Sequence, residues 1–426
     1  MAAAAGNNEG PERQKSIYRT GFQGHKPSIP INPYHLEQAA RSRLPREAYD
    51  YIAGGAGIEQ TIRANRESFN DWHIVPRMLR DVSSRQHSVS LFGRRLAYPF
   101  LLAPIGALEA AHTAADKAVA AAASDEQVPF IFSSQASVSM EECAGIMRES
   151  PRWFQLYWSK SNDLVKSFLR RAEACGCEAI VVTLDTTLLG WRSRDLQNAW
   201  LPFLHGMGLS QYLTDPVFKE MIEYIEPQNK TSLKQVSRQL AKNLMHLYRR
   251  HPGKMWDKVR SQDPLSAVQQ FISVYSRPSL TWDDIPFVKY HTQLPVLLKG
   301  ILHPDDARRA IDTGVDGIIV SNHGGRQVDG SIAALTALPD IADTVNGKIP
   351  VLFDSGIRTG ADVFKALALG ATAVCIGRPY AYGLALGGAG GVREVIRNLK
   401  ADFDLTMALS GHNSINTINR DSLRHT

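Results

Sequence analysis

Eight short apolar runs, each ending in polar or glycine residues and followed by a helix-like stretch, constrain this chain more than any other feature. They are YPFLLAP (98–104), PFIFSSQ (129–135), RWFQLYW (152–158), AIVVTLD (179–185), PVLLKG (295–300), GIIVSNHGG (317–325), PVLFDSG (350–356) and AVCIGRP (373–379). Near-continuous apolar strands are buried on both faces, and helices between them make neighbouring strands parallel. Eight such units predict an α/β fold of the (β/α)8 TIM-barrel type. A doubly wound sheet is the alternative, and strict alternation of eight units counts against it. Polar side chains gather where the runs end: Ser133, Gln155, Tyr157, Thr183, Asp185, Lys299, His323, Asp354 and Arg378. In a barrel those ends form one rim, where active sites are built.

The rest of the chain is read around that repeat. Residues 1–30 are expected to be a disordered tail and 31–426 a single barrel domain. PYHLEQAARSRLPREAYDYIAGGAG (33–57) predicts one or two short helices ended by glycines, with Tyr51 near the boundary. The stretch 391–410 predicts a long amphipathic helix closing the barrel. About 110 residues separate the fourth run from the fifth, so a long insertion is expected after strand four, with 196–280 as a candidate lid. Within it Leu233, Val236, Leu240 and Leu247 fall on one helical stripe.

Of 426 residues, 48 are Lys or Arg and 42 Asp or Glu, a net +6. Residues 219–260 alone hold ten basic and four acidic side chains, a local +6 that matches the whole surplus. With few interleaved aromatics and no recognised fold signature, that segment gives little support to nucleic-acid binding. No apolar stretch is long enough to span a bilayer, and the start lacks the pattern of a secretory signal. Four scattered cysteines predict reduced thiols and a cytoplasmic protein, with no metal site.

Three strings carry chemistry. SNHGGRQ (321–327) sets His323 at a strand end, with glycines that admit a ligand closely and Arg326 three residues on: a proton acceptor beside an anion receptor. DSGIRTG (354–360) and IGRP (376–379) follow strands seven and eight, the loops that commonly hold phosphate in barrels. Lys299, ending strand five, adds a point charge.

These strings, with YDYIAGGA, LLAPIG, FQLYWSK, TLDTTLLGWRSRD, LLKG and LTMALSG in that order, resemble the FMN-dependent α-hydroxy acid oxidases and dehydrogenases over about nine-tenths of the chain. The resemblance implies FMN as cofactor and a small 2-hydroxy acid and oxygen as substrates. It implies His323 as catalytic base, Asp185 as the carboxylate that orients it, Arg192 and Arg326 as anchors of the substrate carboxylate, and Tyr51 and Tyr157 as hydroxyl contacts. Lys299 would stabilise charge on the reduced ring. Pro104, Ile105 and Gly106 would lie against the ring, Ser133, Gln155, Thr183 and Ser321 along its pocket, and Asp354, Gly356, Arg358, Gly377 and Arg378 around ribityl and phosphate. A homo-oligomer, tetramer or octamer, is also implied, with no membrane or nucleic-acid partner.

Departures narrow the expectation. Glycolate oxidases carry Thr-Ala after LLAP where this chain has Ile105-Gly106-Ala107, tryptophan in place of Gln135, Asp-Gly-Gly in place of Asp354-Ser355-Gly356, and Thr-Pro in place of Thr186-Thr187. With the long insertion, these features resemble the lactate 2-monooxygenase branch. L-Lactate is the expected acid, and acetate, carbon dioxide and water the favoured products. An oxidase releasing 2-oxo acid and peroxide is the alternative. Proton and hydride routes for the α-hydrogen both stay open.

Overall fold

The computed structural model describes residues 8–223, 238–251 and 263–426. All eight runs are strands: β1 (Phe100–Leu102), β2 (Phe130–Ser133), β3 (Arg152–Tyr157), β4 (Ile180–Thr183), β5 (Val296–Ile301), β6 (Gly317–Val320), β7 (Val351–Phe353) and β8 (Ala373–Ile376). Each pairs in parallel with the next, and β8 pairs with β1 to close a barrel surrounded by helices. The fold is therefore a (β/α)8 barrel.

Side-chain alternation explains how an apolar run builds a polar site. Alternate residues of each strand point into the barrel, and Leu101, Ile131, Trp153, Val181, Leu297, Ile319, Leu352 and Cys375 form one layer of the interior cluster. Their neighbours, among them Phe100, Phe132, Phe154, Val182, Leu298, Val320, Phe353 and Ile376, pack outward against the helices. Because successive side chains alternate faces, the next inward positions are Ala103, Ser133, Gln155, Thr183, Lys299, Ser321, Asp354 and Gly377. The interior thus passes from an apolar layer to a mostly polar one in a single step toward the C-terminal rim. At the opposite end the ribbon of Val89–Leu91 and Arg94–Leu96 closes the barrel, with Val89, Leu91, Phe92 and Leu96 packed on the interior cluster.

The helices expected before the barrel are Pro33–Arg43 and Arg46–Ala53, the second stopping at Gly54. The closing helix is longer than expected, Arg378–Leu409, and is broken at Gly387 and Gly388, where φ is −150° and +54°. The expected disordered tail is corrected: Glu9–Phe22 is a helix. Its Gly10 N–H donates to buried Asp404 (2.9 Å), and Arg13 bonds Glu394 and Asn398 on the closing helix. These anchors lie nearly 400 residues away in sequence, so no local pattern announces them.

After β4 come Ser193–Gln197, Ser210–Leu213, Pro216–Glu223, Arg238–Arg250 and Asp263–Val274, all helical. Of the expected stripe, Leu247 is buried. Leu233, Val236, the side chain of Leu240 and much of the basic stretch 219–260 lie outside the described residues. Among the described residues no helix is long and apolar enough to cross a membrane. All four cysteines are free and buried.

Candidate active site

A cavity of about 400 Å³ opens at the C-terminal rim of the barrel, within the size range of cofactor and small-ligand sites. Tyr51, Pro104, Ile105, Gly106, Tyr157, Arg192, Lys299, His323, Arg326, Asp354, Gly356, Arg358, Gly377 and Arg378 line it. Ser133, Gln155, Thr183 and Ser321 are buried and not on its wall, and Asp185 stands behind His323.

The polar strand ends form one connected network. His323 Nδ1 lies 2.7 Å from Asp185 Oδ1, and its Nε2 lies 3.5 Å from the Tyr157 hydroxyl. The Thr186 hydroxyl donates to the same Asp185 oxygen (3.0 Å) and lies 3.2 Å from His323 Nδ1. Lys299 Nζ donates to Ser321 Oγ (2.9 Å) and pairs with Asp354 at 3.2 Å and Asp185 at 3.9 Å. Lys299 sits at a bend in β5, because Gly300 has φ +110° and a Cβ there would come 2.9 Å from the Asp185 Cβ. Glycine is what lets these two strand ends meet.

His323 itself has φ +57°, a strained conformation for a side chain of this size. Its N–H donates to Ser321 Oγ and the Gly325 N–H to Asn322 Oδ1, so the turn is pinned at both ends. Ser355, at φ +85°, ties this loop to the next: its hydroxyl donates to Asp354 (2.7 Å) and accepts from the Gly324 N–H (3.0 Å).

Charge states follow from these contacts. Burial lowers the His323 pKa from 6.5, which leaves the ring neutral at neutral pH and able to accept a proton. Burial would raise Asp185, but His323 and Lys299 outweigh it and hold the carboxyl at about 2. Burial would lower Lys299, and Asp354 with Asp185 instead keep it raised and charged. Burial, then Asp185, push Tyr157 up to about 12, so its hydroxyl stays a donor.

Four guanidinium groups complete the wall, and their bonds go to neutral acceptors. Arg326 bonds the carbonyls of Tyr51 and Gly54; Arg192 bonds the carbonyl of Arg326 and the Gln327 amide oxygen. Arg378 bonds the carbonyls of Ile52, Gly54 and Gly324, and Arg358 that of Ile357. Burial and neighbouring Arg192 lower Arg326 to about 9, and burial lowers Arg358 as well. Partly buried cations bonded to no carboxylate among the described residues favour anionic ligands. The closing helix also starts after Gly377 with no side chain capping it; Pro379 has no N–H and the Tyr380 N–H bonds the Gly377 carbonyl, which leaves the Arg378 N–H for an anion. Helix Gly360–Ala368 differs, being capped by Thr359 and Asp362.

The inward polar layer beside Lys299 carries unmatched polarity. Gln155 Nε2 and Thr183 Oγ1 are buried with no hydrogen-bond partner among the described residues, as expected of groups that bond a ligand. The polar edge of a flat ring would satisfy these two groups, Lys299 would supply it with positive charge, and Arg358, Gly377 and Arg378 would hold a phosphate, so the site fits FMN.

A family model for FMN-dependent dehydrogenases matches residues 40–425. The chain belongs to the FMN-dependent dehydrogenase family. FMN is therefore its cofactor. It is 42% identical to an FMN-dependent alpha-hydroxy acid dehydrogenase of Penicillium citrinum, over 96% of this chain and 95% of that one. It is 41% identical to an L-lactate oxidase of Lysinibacillus sphaericus, over 91% of each. A solved structure of mandelate oxidase with (S)-4-hydroxymandelic acid superposes with a TM-score of 0.74 at 36% identity, covering 93% of this chain and 98% of that one.

Most of the expected residues line one cavity, while Ser133, Gln155, Thr183, Asp185 and Ser321 do not. Three residues that sequence reasoning did not assign belong with them: Thr186, Ser355 and Gln327. Gln327 was visible as the end of SNHGGRQ and Thr186 as the neighbour of Asp185, but the partners of Gln327 and the His323 partner of Thr186 lie on other loops.

Proposed function

We propose that this family member oxidises a small L-2-hydroxy acid, L-lactate foremost, with oxygen as acceptor. The observation that carries the reading is the juxtaposition on one cavity of a neutral, carboxylate-backed His323 with Arg192 and Arg326. A 2-hydroxy acid needs both a proton acceptor and an anion anchor. In this reading the two guanidiniums, with Tyr51, hold the substrate carboxylate. Tyr157 holds the hydroxyl, and His323 Nε2 takes a proton while Asp185 stabilises the imidazolium. FMN, when bound, accepts two electrons from the acid and passes them to oxygen. Lys299 would supply positive charge to the ring, and Arg358, Gly377 and Arg378 would hold the phosphate.

The further outcome proposed is that of a lactate 2-monooxygenase. If pyruvate is retained, peroxide attacks its 2-oxo carbon, and acetate, carbon dioxide and water result. Leu201, Phe203, Leu204, Phe271, Ile272 and Tyr275, all from 196–280, line the cavity. That cover supports slow product departure. Gly106 and Gln135 support the same branch, since a Cβ on Gly106 would come 3.0 Å from the Gln135 Cβ. The second reading, an oxidase that releases 2-oxo acid and peroxide, is favoured by the likeness to an L-lactate oxidase. A cytoplasmic tetramer or octamer belongs to the proposal, with Tyr18, Phe22 and Tyr34 exposed as apolar contact surface.

Anaerobic mixing with L-lactate, then air, with pyruvate, acetate and peroxide quantified, tests the whole reading. Flavin that stays oxidised refutes lactate as substrate. Peroxide and pyruvate in place of acetate select the oxidase.

A further inference from the structure

Gln327 closes the SNHGGRQ string, and no step above uses it. Its side chain joins two loops. The Nε2 donates to the backbone carbonyls of Asp185 and Leu188, both at 2.8 Å. The Oε1 accepts from Arg192 Nη2 at 3.1 Å and from the Gly190 N–H at 3.4 Å. A carboxamide has two donor hydrogens and an oxygen with two lone pairs, so all four are used. All four partners lie in one stretch, 185–192, which begins with the carboxylate behind His323 and ends with Arg192.

The backbone of this stretch rests directly on the loop after β6. A Cβ on Gly190 would come 2.6 Å from the Arg326 carbonyl oxygen and 2.7 Å from that of Gln327. Arg192 also bonds the Arg326 carbonyl. Arg192 is therefore held by the loop that carries Arg326, with Gln327 as the side chain that ties the two loops together.

We infer that Gln327 is a positioning residue that sets stretch 185–192 so that Arg192 reaches the substrate carboxylate engaged by Arg326. The inference rests on the reading of Arg192 as a carboxylate anchor. A merely structural Gln327 would change the melting temperature without selectively changing anion affinity.

The test is pyruvate affinity, measured by titrating the FMN holoenzyme and following flavin absorbance, together with KM and the rate of anaerobic flavin reduction at saturating acid. Gln327→Met keeps length and loses every hydrogen bond. It is expected to retain FMN and to weaken pyruvate binding and raise KM by about 10-fold or more, with a smaller loss in the saturated reduction rate. Gly190→Ala removes no polar group but forces the stretch off the β6 loop, and is expected to show the same split. If Gln327→Met does not fold, Gly190→Ala alone decides. Pyruvate affinity within about twofold of the parent in a variant that keeps its FMN overturns the inference. Arg192→Met separates the two levels: pyruvate binding unaffected there refutes the anchor itself, whereas binding lost there but intact in Gln327→Met refutes only the positioning role.

Discussion

His323 Nδ1 stands 2.7 Å from Asp185 Oδ1, leaving Nε2 as the ring nitrogen that faces Tyr157 and the cavity. The Asp185 carboxylate fixes the tautomer: Nδ1 carries the hydrogen and Nε2 the lone pair. Replacing His323 by Asn removes that lone pair while leaving the cofactor contacts alone. The expected result is flavin bound as in the parent and anaerobic reduction by L-lactate slowed by about 10²–10⁴-fold. Normal reduction of the flavin in this variant would exclude His323 as the base.

The pH dependence follows from the same pair. Burial lowers the His323 pKa below 6.5, so the base is neutral above that value and becomes protonated only as pH falls further. Asp185, held at about 2, stays ionised throughout. The acid limb of kcat/KM for flavin reduction should therefore lie below pH 6.5 and carry a single ionisation. A limb centred above neutrality contradicts the assignment.

Thr186 is expected to tune that limb. Its hydroxyl donates to the carboxylate oxygen that His323 also uses. Without this donor, Asp185 concentrates its charge on His323 and stabilises the imidazolium. Thr186→Val should shift the acid limb upward, and Thr186→Ser should restore it. A profile unchanged by the valine would show that the hydroxyl has no hold on the pair.

Arg358 bears on the cofactor rather than the substrate. It is half-buried on the cavity wall, its bond goes to the neighbouring Ile357 carbonyl, and desolvation lowers its pKa. Arg358→Met should weaken FMN binding by about 10–100-fold, the loss of one charge-assisted contact, measurable as released flavin fluorescence. The apoprotein should also gain melting temperature as inorganic phosphate is added, since a ligand that binds only the folded state stabilises it. Equal FMN affinity in the variant would place the phosphate elsewhere.

How much of this was legible in the sequence depends on the range of the interactions. Period-two alternation carries Leu297 to Lys299 and Leu352 to Asp354 on the same inward face, so the strand runs alone locate the polar layer. SNHGGRQ likewise announces its histidine and arginine. The roles of Gln327 and Ser355 were hidden because their partners belong to loops after other strands. The helix Glu9–Phe22 was hidden for a related reason: its own residues are largely polar, and its anchorage depends on the remote closing helix.

That anchorage supplies a stability prediction. Asp404 is wholly buried and accepts bonds from the Gly10 N–H and from Arg85 Nε and Nη2, while His87 Nε2 lies 2.8 Å away. Burial would raise its pKa, but the bonds from Arg85, His87 and Gly10 hold it far below the usual carboxylate range. The charged form is therefore favoured in the folded chain. Its contribution is fully present above the unfolded carboxylate value near 4 and is lost as pH falls toward the depressed folded one. Asp404→Asn removes the carboxylate that Arg85 Nε and Nη2 bond, a change that costs about 3–5 kcal/mol. Denaturant unfolding at pH 7 should show this loss, and the difference from the parent should narrow on acidification below about pH 4. The helix Glu9–Phe22 should become susceptible to proteolysis in the variant while the flavin stays bound. Equal stability of parent and variant at pH 7 would mean that the Asp404 charge does not hold the N-terminal helix in place.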